Sequence, residues 1–219
     1  MTLLDFARGP AMNVAIAICV AGIVWRLVAL LFLPRARDRS TRRPGAPWRV
    51  TAAATSILSH MKVAKGLGPV PRFAVWNAYA YHICLFVIVF FFTQHILVWE
   101  GLVGLSWPGL PTGVITVASV ITLAALVAAL VRRVSSPILR LLSGFDDYFS
   151  WLLTTLPVLT GLLAQSHLFL RYDTMLALHI LSVAAMLIWF PFGKLFHGVL
   201  VWVTRGRTGA FYGRRGVAI

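Results

Sequence analysis

The sequence predicts an all-α membrane protein: a bundle of five transmembrane helices with the N-terminus outside and the C-terminus in the cytoplasm. Three observations predict it. Hydrophobic residues are 59% of the 219 residues and charged residues 12%, with a mean hydropathy of +0.85. An ordinary soluble domain is about half apolar and roughly a quarter charged. Five apolar runs each approach or exceed the ~20 residues that carry a helix across a bilayer core. The 20 Lys and Arg against 6 Asp and Glu, a formal +14, fall almost wholly on one side of those runs. This composition excludes a disordered chain, a secreted disulfide scaffold and most soluble folds.

Span one runs from about Ala11 to Leu33. Asp5 and Arg8 precede it and no small-residue cleavage site ends it, so a retained span is expected, not a signal peptide. A basic loop, 34–75, follows. Arg35 to Trp48 is rich in Arg and Pro and reads as irregular. Val50 to Lys65 reads as an interfacial amphipathic helix, with Ile57, Leu58, Met61 and Val63 partly on one face and Gly66 and Gly68-Pro69 ending it. Span two runs from about Trp76 to Trp99. Span three, about Thr112 to Val131, is rich in Ala, Val and Ile. Span four runs from about Asp147 to Leu168, with Asp146 and Asp147 where acids favour a helix N-terminus through its dipole. Span five runs from about Thr174 to Val203.

The runs lack the period-two alternation of barrel strands, which excludes a porin-like barrel. Helices are the expected solution, because backbone groups in lipid must be paired internally. Cys19 and Cys84 both sit inside apolar runs, so neither a disulfide framework nor a CxxC zinc site is expected.

The charge sets the orientation. Arg35, Arg37, Arg39, Arg42, Arg43, Arg49, Lys62, Lys65 and Arg72 lie between spans one and two. Arg132, Arg133 and Arg140 lie between three and four, and Arg205, Arg207, Arg214 and Arg215 follow span five. The other side holds only Arg8 and Arg171, with Asp5, Glu100 and Asp173. The positive-inside rule then gives N-outside and C-cytoplasmic. The basic loop either sets topology alone or also docks a partner or anionic lipid. Nucleic-acid binding is not expected, because the charge flanks spans and forms no folded basic domain.

Six histidines are present, and His82, His95, His179 and His197 lie in or at the ends of spans two and five. Ionisable groups in spans are costly and mark sites. Neutral imidazole binds iron, and membrane cytochromes hold haem between histidines of facing helices. His179 and His197 are 18 residues apart. That is five whole turns, hence one face, ~27 Å apart on a continuous helix. His82 and His95 are 13 apart, ~20 Å along the axis but rotated by ~140°. The two spans run in opposite directions, so His82 can meet His197 near the cytoplasm and His95 can meet His179 near the outside. A bulge or kink is needed to turn His95. The competing reading of each is a hydrogen-bonded packing residue. His60 reads as a loop-surface residue. His167, at the outer end of span four, reads as a helix-end residue or as a substitute ligand for His95.

These residues carry a resemblance. The stretch Leu176 to Arg205, LALHILSVAAMLIWFPFGKLFHGVLVWVTR, resembles the membrane cytochrome b (gamma) subunit of respiratory nitrate reductase and its wider superfamily. It shows a His, a long apolar run, Phe190-Pro191-Phe192, the basic Lys194 and a second His one turn on. RRVSSPILRLLSGFDDYFSWLLTTLPVLTGLL from Arg132 resembles the family's connection between spans three and four, and Trp25-Arg26 fits the end of span one. The resemblance implies that His179 and His197 bind haem b, with His82 as the inner partner. It departs in span two, where the family's histidines are about ten residues apart and this chain has Phe92. Either a bulge lets His95 take over, or the outer haem has a different ligand or is missing. The long basic loop also departs from the nitrate reductase version. It suits a superfamily member beside heterodisulfide-reductase-like iron–sulfur proteins, as in sulfite-reductase-associated complexes.

The resemblance implies a quinone-reactive, bis-His dihaem cytochrome b of the bacterial cytoplasmic membrane. It passes electrons between quinol and a cytoplasmic-side iron–sulfur subunit that serves a catalytic subunit. The quinone edge is expected near His95, Glu100, His167 and Asp173, where an acid or histidine can accept a proton; plain water-facing helix ends are the alternative. Arg26 and Lys194 either pair with haem propionates or snorkel. A non-redox anchor or small transporter subunit, with histidines for proton transfer, is the competing class.

Overall fold

The computed structural model describes residues 1–34, 40–59, 61 and 69–217. His60 and the basic residues Arg35, Arg37, Arg39, Lys62 and Lys65 lie outside the described residues, as do Gly66 and Gly68, read above as a helix stop. Every regular element among the described residues is a helix. In chain order they are α1 (Leu3–Ala29), α2 (Arg49–Ser59), α3 (Pro69–Phe91), α4 (Thr93–Val103), α5 (Thr112–Ser135), α6 (Pro137–Leu142), α7 (Phe145–Gln165), α8 (Tyr172–Trp189) and α9 (His197–Arg214).

Four helical stretches are long and apolar enough to cross a membrane: Leu3–Ala29, Arg72–Phe91, Thr112–Ser135 and Tyr172–Trp189. The chain is therefore a multi-pass helical membrane protein by length and composition. Side chains such as Val20, Trp25, Ile83, Phe86, Val117 and Val127 are exposed on these helices, as a hydrocarbon-facing surface requires. The expected fourth span, α7, is 21 residues long but less apolar, because Asp146, Asp147, Thr154, Thr155, Thr160 and Gln165 interrupt it.

The packing order is α3 on α5, α5 on α7, α7 on α8 and α8 on α1. Helix α5 buries Ile115, Ala118, Ser119, Thr122, Ala125 and Leu126, a stripe at helical spacing. Its small members let neighbouring helices approach where lipid supplies no hydrophobic drive. The buried hydroxyls return to their own helix: Ser119 donates to the Ile115 carbonyl at 2.8 Å and Thr122 to Ala118 at 2.8 Å. Cross-helix bonds add direction. Asn77 donates to the Ala125 carbonyl at 3.0 Å, Trp151 to Leu126 at 2.8 Å and Gln165 to Thr116 at 2.8 Å.

One expectation is corrected. Residues 174–203 do not form one helix. Helix α8 stops at Trp189, residues 190–193 are non-helical, Lys194–Phe196 is a 3-10 turn and α9 begins at His197. Pro191 has no N–H to continue the ladder, and Gly193 is extended at φ −100°, ψ −172°. The five-turn argument for His179 and His197 therefore fails. Span two carries an interruption of the kind His95 needs: α3 ends at Phe91, Phe92 is extended at φ −79°, ψ 125°, and α4 restarts at Thr93.

At the basic end, α9 leaves the bundle and packs on α2. The seam is glycine-lined. A Cβ on Gly209 would stand 2.4 Å from the Ser56 Cβ and 2.5 Å from the Ala52 carbonyl. One on Gly213 would stand 2.4 Å from the Ala52 Cβ. The Arg43 amide donates to the Arg214 carbonyl at 3.1 Å, tying the loop to the C-terminal helix.

Candidate functional site

The four histidines His82, His95, His179 and His197 form two pairs. The His82 and His197 rings lie with centroids 6.1 Å apart and planes at 88°. The His95 and His179 rings lie 6.1 Å apart with planes at 19°. Among the described residues neither α3 with α9 nor α4 with α8 packs backbone to backbone as α3 does on α5, so the rings meet across a gap between backbones.

Each ring is held the same way. His82 Nδ1 lies 2.7 Å from the Ala78 carbonyl and His197 Nδ1 2.8 Å from Lys194. His95 Nδ1 lies 2.9 Å from the Ile88 carbonyl and His179 Nδ1 3.0 Å from Pro157. A carbonyl oxygen can only accept, so each Nδ1 carries the proton and donates. The tautomer that follows leaves every Nε2 with a free lone pair, the arrangement by which proteins present histidine to a metal. Among the described residues no hydrogen bond engages any of the four Nε2 atoms. A packing histidine uses both nitrogens where it can; these four use one.

The spacing also fits a shared metal. An imidazole–metal bond is about 2 Å long, and a ring reaches about 1 Å from centroid to nitrogen, so trans imidazoles on one iron stand roughly 6 Å apart by centroid. No group of three or more His, Cys, Asp or Glu that could hold a bare ion occurs among the described residues. Two histidines per site would suit a haem, whose own nitrogens would supply the remaining iron ligands.

The break at Phe92 lets His95 face His179 despite the 13-residue spacing. Breaking a helix strands carbonyls, and here three are recovered. The Trp99 indole donates to Val89 at 3.2 Å, the Trp107 indole donates to Phe90, and the Leu110 amide donates to Phe91 at 2.8 Å. The partners of these tryptophans are set by a chain reversal that no local pattern announces. On the facing helix, Gly161 leaves room for His179, since a Cβ there would stand 3.0 Å from its Cε1.

The second break presents His197. The Arg26 guanidinium donates to the Pro191 carbonyl at 3.1 Å and lies 4.6 Å over the Phe196 ring. Pro191 is fully buried against Gly22. Lys194 Nζ pairs with Asp147 at 2.5 Å. Arg26 and Lys194 thus both engage protein groups.

Glu100, His167 and Asp173 are exposed. No hydrogen bond or ion pair links them among the described residues. His167 lies beside Tyr172 with ring centroids 5.0 Å apart, at a turn where it adopts φ +54°. Asp173 sits in the first turn of α8 and Glu100 in the last turn of α4. The structure does not gather these three into one pocket.

No family model matches the chain, and no solved structure matches it. A curated protein of Nitratidesulfovibrio vulgaris (strain Hildenborough), whose name states no activity, is 34% identical over 134 residues. The match covers 61% of this chain and 59% of that protein.

Proposed function

We propose that this chain is a b-type cytochrome membrane subunit of a respiratory redox complex. It moves electrons between membrane quinone and an iron–sulfur partner on the basic side. The observation that carries the reading is the doubled motif: two histidine pairs, each at 6.1 Å, each ring with Nδ1 on a backbone carbonyl. Chance packing does not orient four imidazoles alike.

In this reading His82 and His197 hold one haem b, and His95 and His179 hold the second. Haem bound there supplies one-electron chemistry that the side chains lack. The chain supplies axial nitrogens of fixed tautomer, a low-dielectric surround and a defined separation between the pairs. Phe92 borders the outer pair, 5.2 Å from His95 by centroid. The quinone edge is placed at the outer end, near Glu100, His167 and Asp173, where released protons reach water.

The positive charge supports N-outside, C-cytoplasmic topology in a bacterial inner membrane, with α7 as the fifth span beside the four apolar helices. The α2–α9 pair, with Arg49, Arg205 and Arg207 exposed, is the proposed landing surface for the iron–sulfur subunit. The deciding experiment is the dithionite-reduced visible spectrum of the purified chain with haem counted per polypeptide. Two b-type haems per chain support the reading. A chain free of haem after expression with haem supply overturns it in favour of a non-redox anchor.

A further inference from the structure

The turn that presents His197 is not held by its own sequence alone. It is gripped by the N-terminus of α7. Asp146 Oδ1 accepts from the Lys194 amide at 3.2 Å, from the Trp189 indole at 3.3 Å and from the Ser150 hydroxyl at 2.6 Å. Asp147 Oδ2 accepts from Lys194 Nζ at 2.5 Å and from the Gly144 amide at 3.0 Å. Its Oδ1 accepts from Arg133 at 2.9 Å, and the Asp147 side chain is only 7% exposed. Both acids therefore converge on one residue, Lys194, one by its amide and one by its ammonium.

Lys194 is also the residue whose carbonyl holds His197 Nδ1, at 2.8 Å. A continuous chain of contacts runs from the two aspartates through Lys194 to the imidazole. Gly193 makes it possible: a Cβ there would stand 2.1 Å from the Trp189 indole nitrogen and 2.8 Å from Asp146 Oδ1. Capping explains only the Gly144 contact. A cap needs neither the Lys194 amide, 47 or more residues away, nor the ammonium.

We propose that Asp146 and Asp147 are positioning residues for His197, acting through Lys194 to aim its Nε2 at the iron shared with His82. The inference rests on the proposed haem ligation. Outer-shell partners of this kind fix ring orientation, and losing one weakens metal binding by about 10- to 100-fold. Nothing comparable serves His82, whose Nδ1 bonds to the carbonyl one turn back in its own helix. The clasp therefore fixes the half of the inner pair that begins a helix after a break.

The test compares Asp146→Ala, Asp147→Asn, Lys194→Met and Lys194→Arg in the full chain purified from membranes. Haem retained per polypeptide and the reduction potential of each site are measured. The expected result is inner-site haem retention lowered ~10-fold or more in the first three variants, with a shifted inner potential in whatever remains. Lys194→Arg keeps the ion pair and the amide, and restores wild-type values. The outer site, held by other residues, keeps its haem and potential throughout and reports folding. Wild-type inner retention and potential in both Asp146→Ala and Asp147→Asn overturn the inference while leaving the haem reading intact. Equal loss from both sites overturns it too, since that marks a folding role. A wild-type chain without haem instead overturns the ligation on which it rests.

Discussion

The inner and outer histidine pairs share a separation and a tautomer but are built in different ways. The inner rings bond to carbonyls of their own segments, Ala78 four residues back and Lys194 three residues back. The outer rings reach further. His95 bonds to Ile88 across a helix break, and His179 bonds to Pro157 in a neighbouring helix. The inner site is thus assembled from local geometry and then aimed by a tertiary clasp. The outer site depends on tertiary contacts for the ligand orientation itself. Equal end results from unequal construction mean that the two sites should fail under different substitutions.

The largest effects test the pairing. His197→Ala should remove the inner haem and leave the outer; His179→Ala should do the reverse. Haem per chain should fall from two to one in each, and loss of both from either variant would break the claim of independent sites. Next come the carbonyl caps of the Phe92 break. Trp107→Phe strands the Phe90 carbonyl, a cost of about 1–3 kcal/mol where it is buried. Thermal release of haem from the outer site should come at lower temperature, with the inner site unchanged; equal shifts in both would show that the break serves the whole bundle.

Gly161→Ala asks less of the molecule. The new methyl would press on His179 from 3.0 Å, and crowding of this kind costs ~1–3 kcal/mol. A shifted outer potential with unchanged inner potential is the outcome to look for by redox titration. The smallest effect on either haem belongs to Gly209→Val. It wedges α2 from α9, at ~1–3 kcal/mol, far from both pairs. Haem content should stay at the wild-type level, while co-purification of the iron–sulfur subunit falls.

Much of this was legible in the sequence because charge and hydropathy are coarse signals that survive any local rearrangement. The apolar runs at α1, α3, α5 and α8 and the choice of four histidines came from them directly. Where the breaks fall was not legible, for two different reasons. Pro191 and Gly193 did carry a stop signal, but it was submerged in an apolar stretch long enough to read as one span. Phe92 carries none. Its extended backbone exists because Trp99, Trp107 and Leu110 arrive to satisfy the carbonyls it strands, and a tertiary cause leaves no local pattern. The rings of His82 and His197 do meet, yet the unbroken helix invoked to bring them together is absent. Asp146 and Asp147 show the same limit: their capping position was visible in sequence, their reach to Lys194 was not.

The ring planes described above have a magnetic consequence. The inner imidazoles are crossed at 88° and the outer ones nearly parallel at 19°. Crossed axial imidazoles leave two of a ferric ion's d orbitals almost degenerate, whereas parallel ones split them. Two otherwise identical low-spin centres would then give distinct electron paramagnetic resonance signals, one strongly anisotropic and one rhombic. Were haem bound at both pairs as proposed, the backbone carbonyls that orient the rings would write a separate label on each iron, readable in the wild-type chain without altering a single residue.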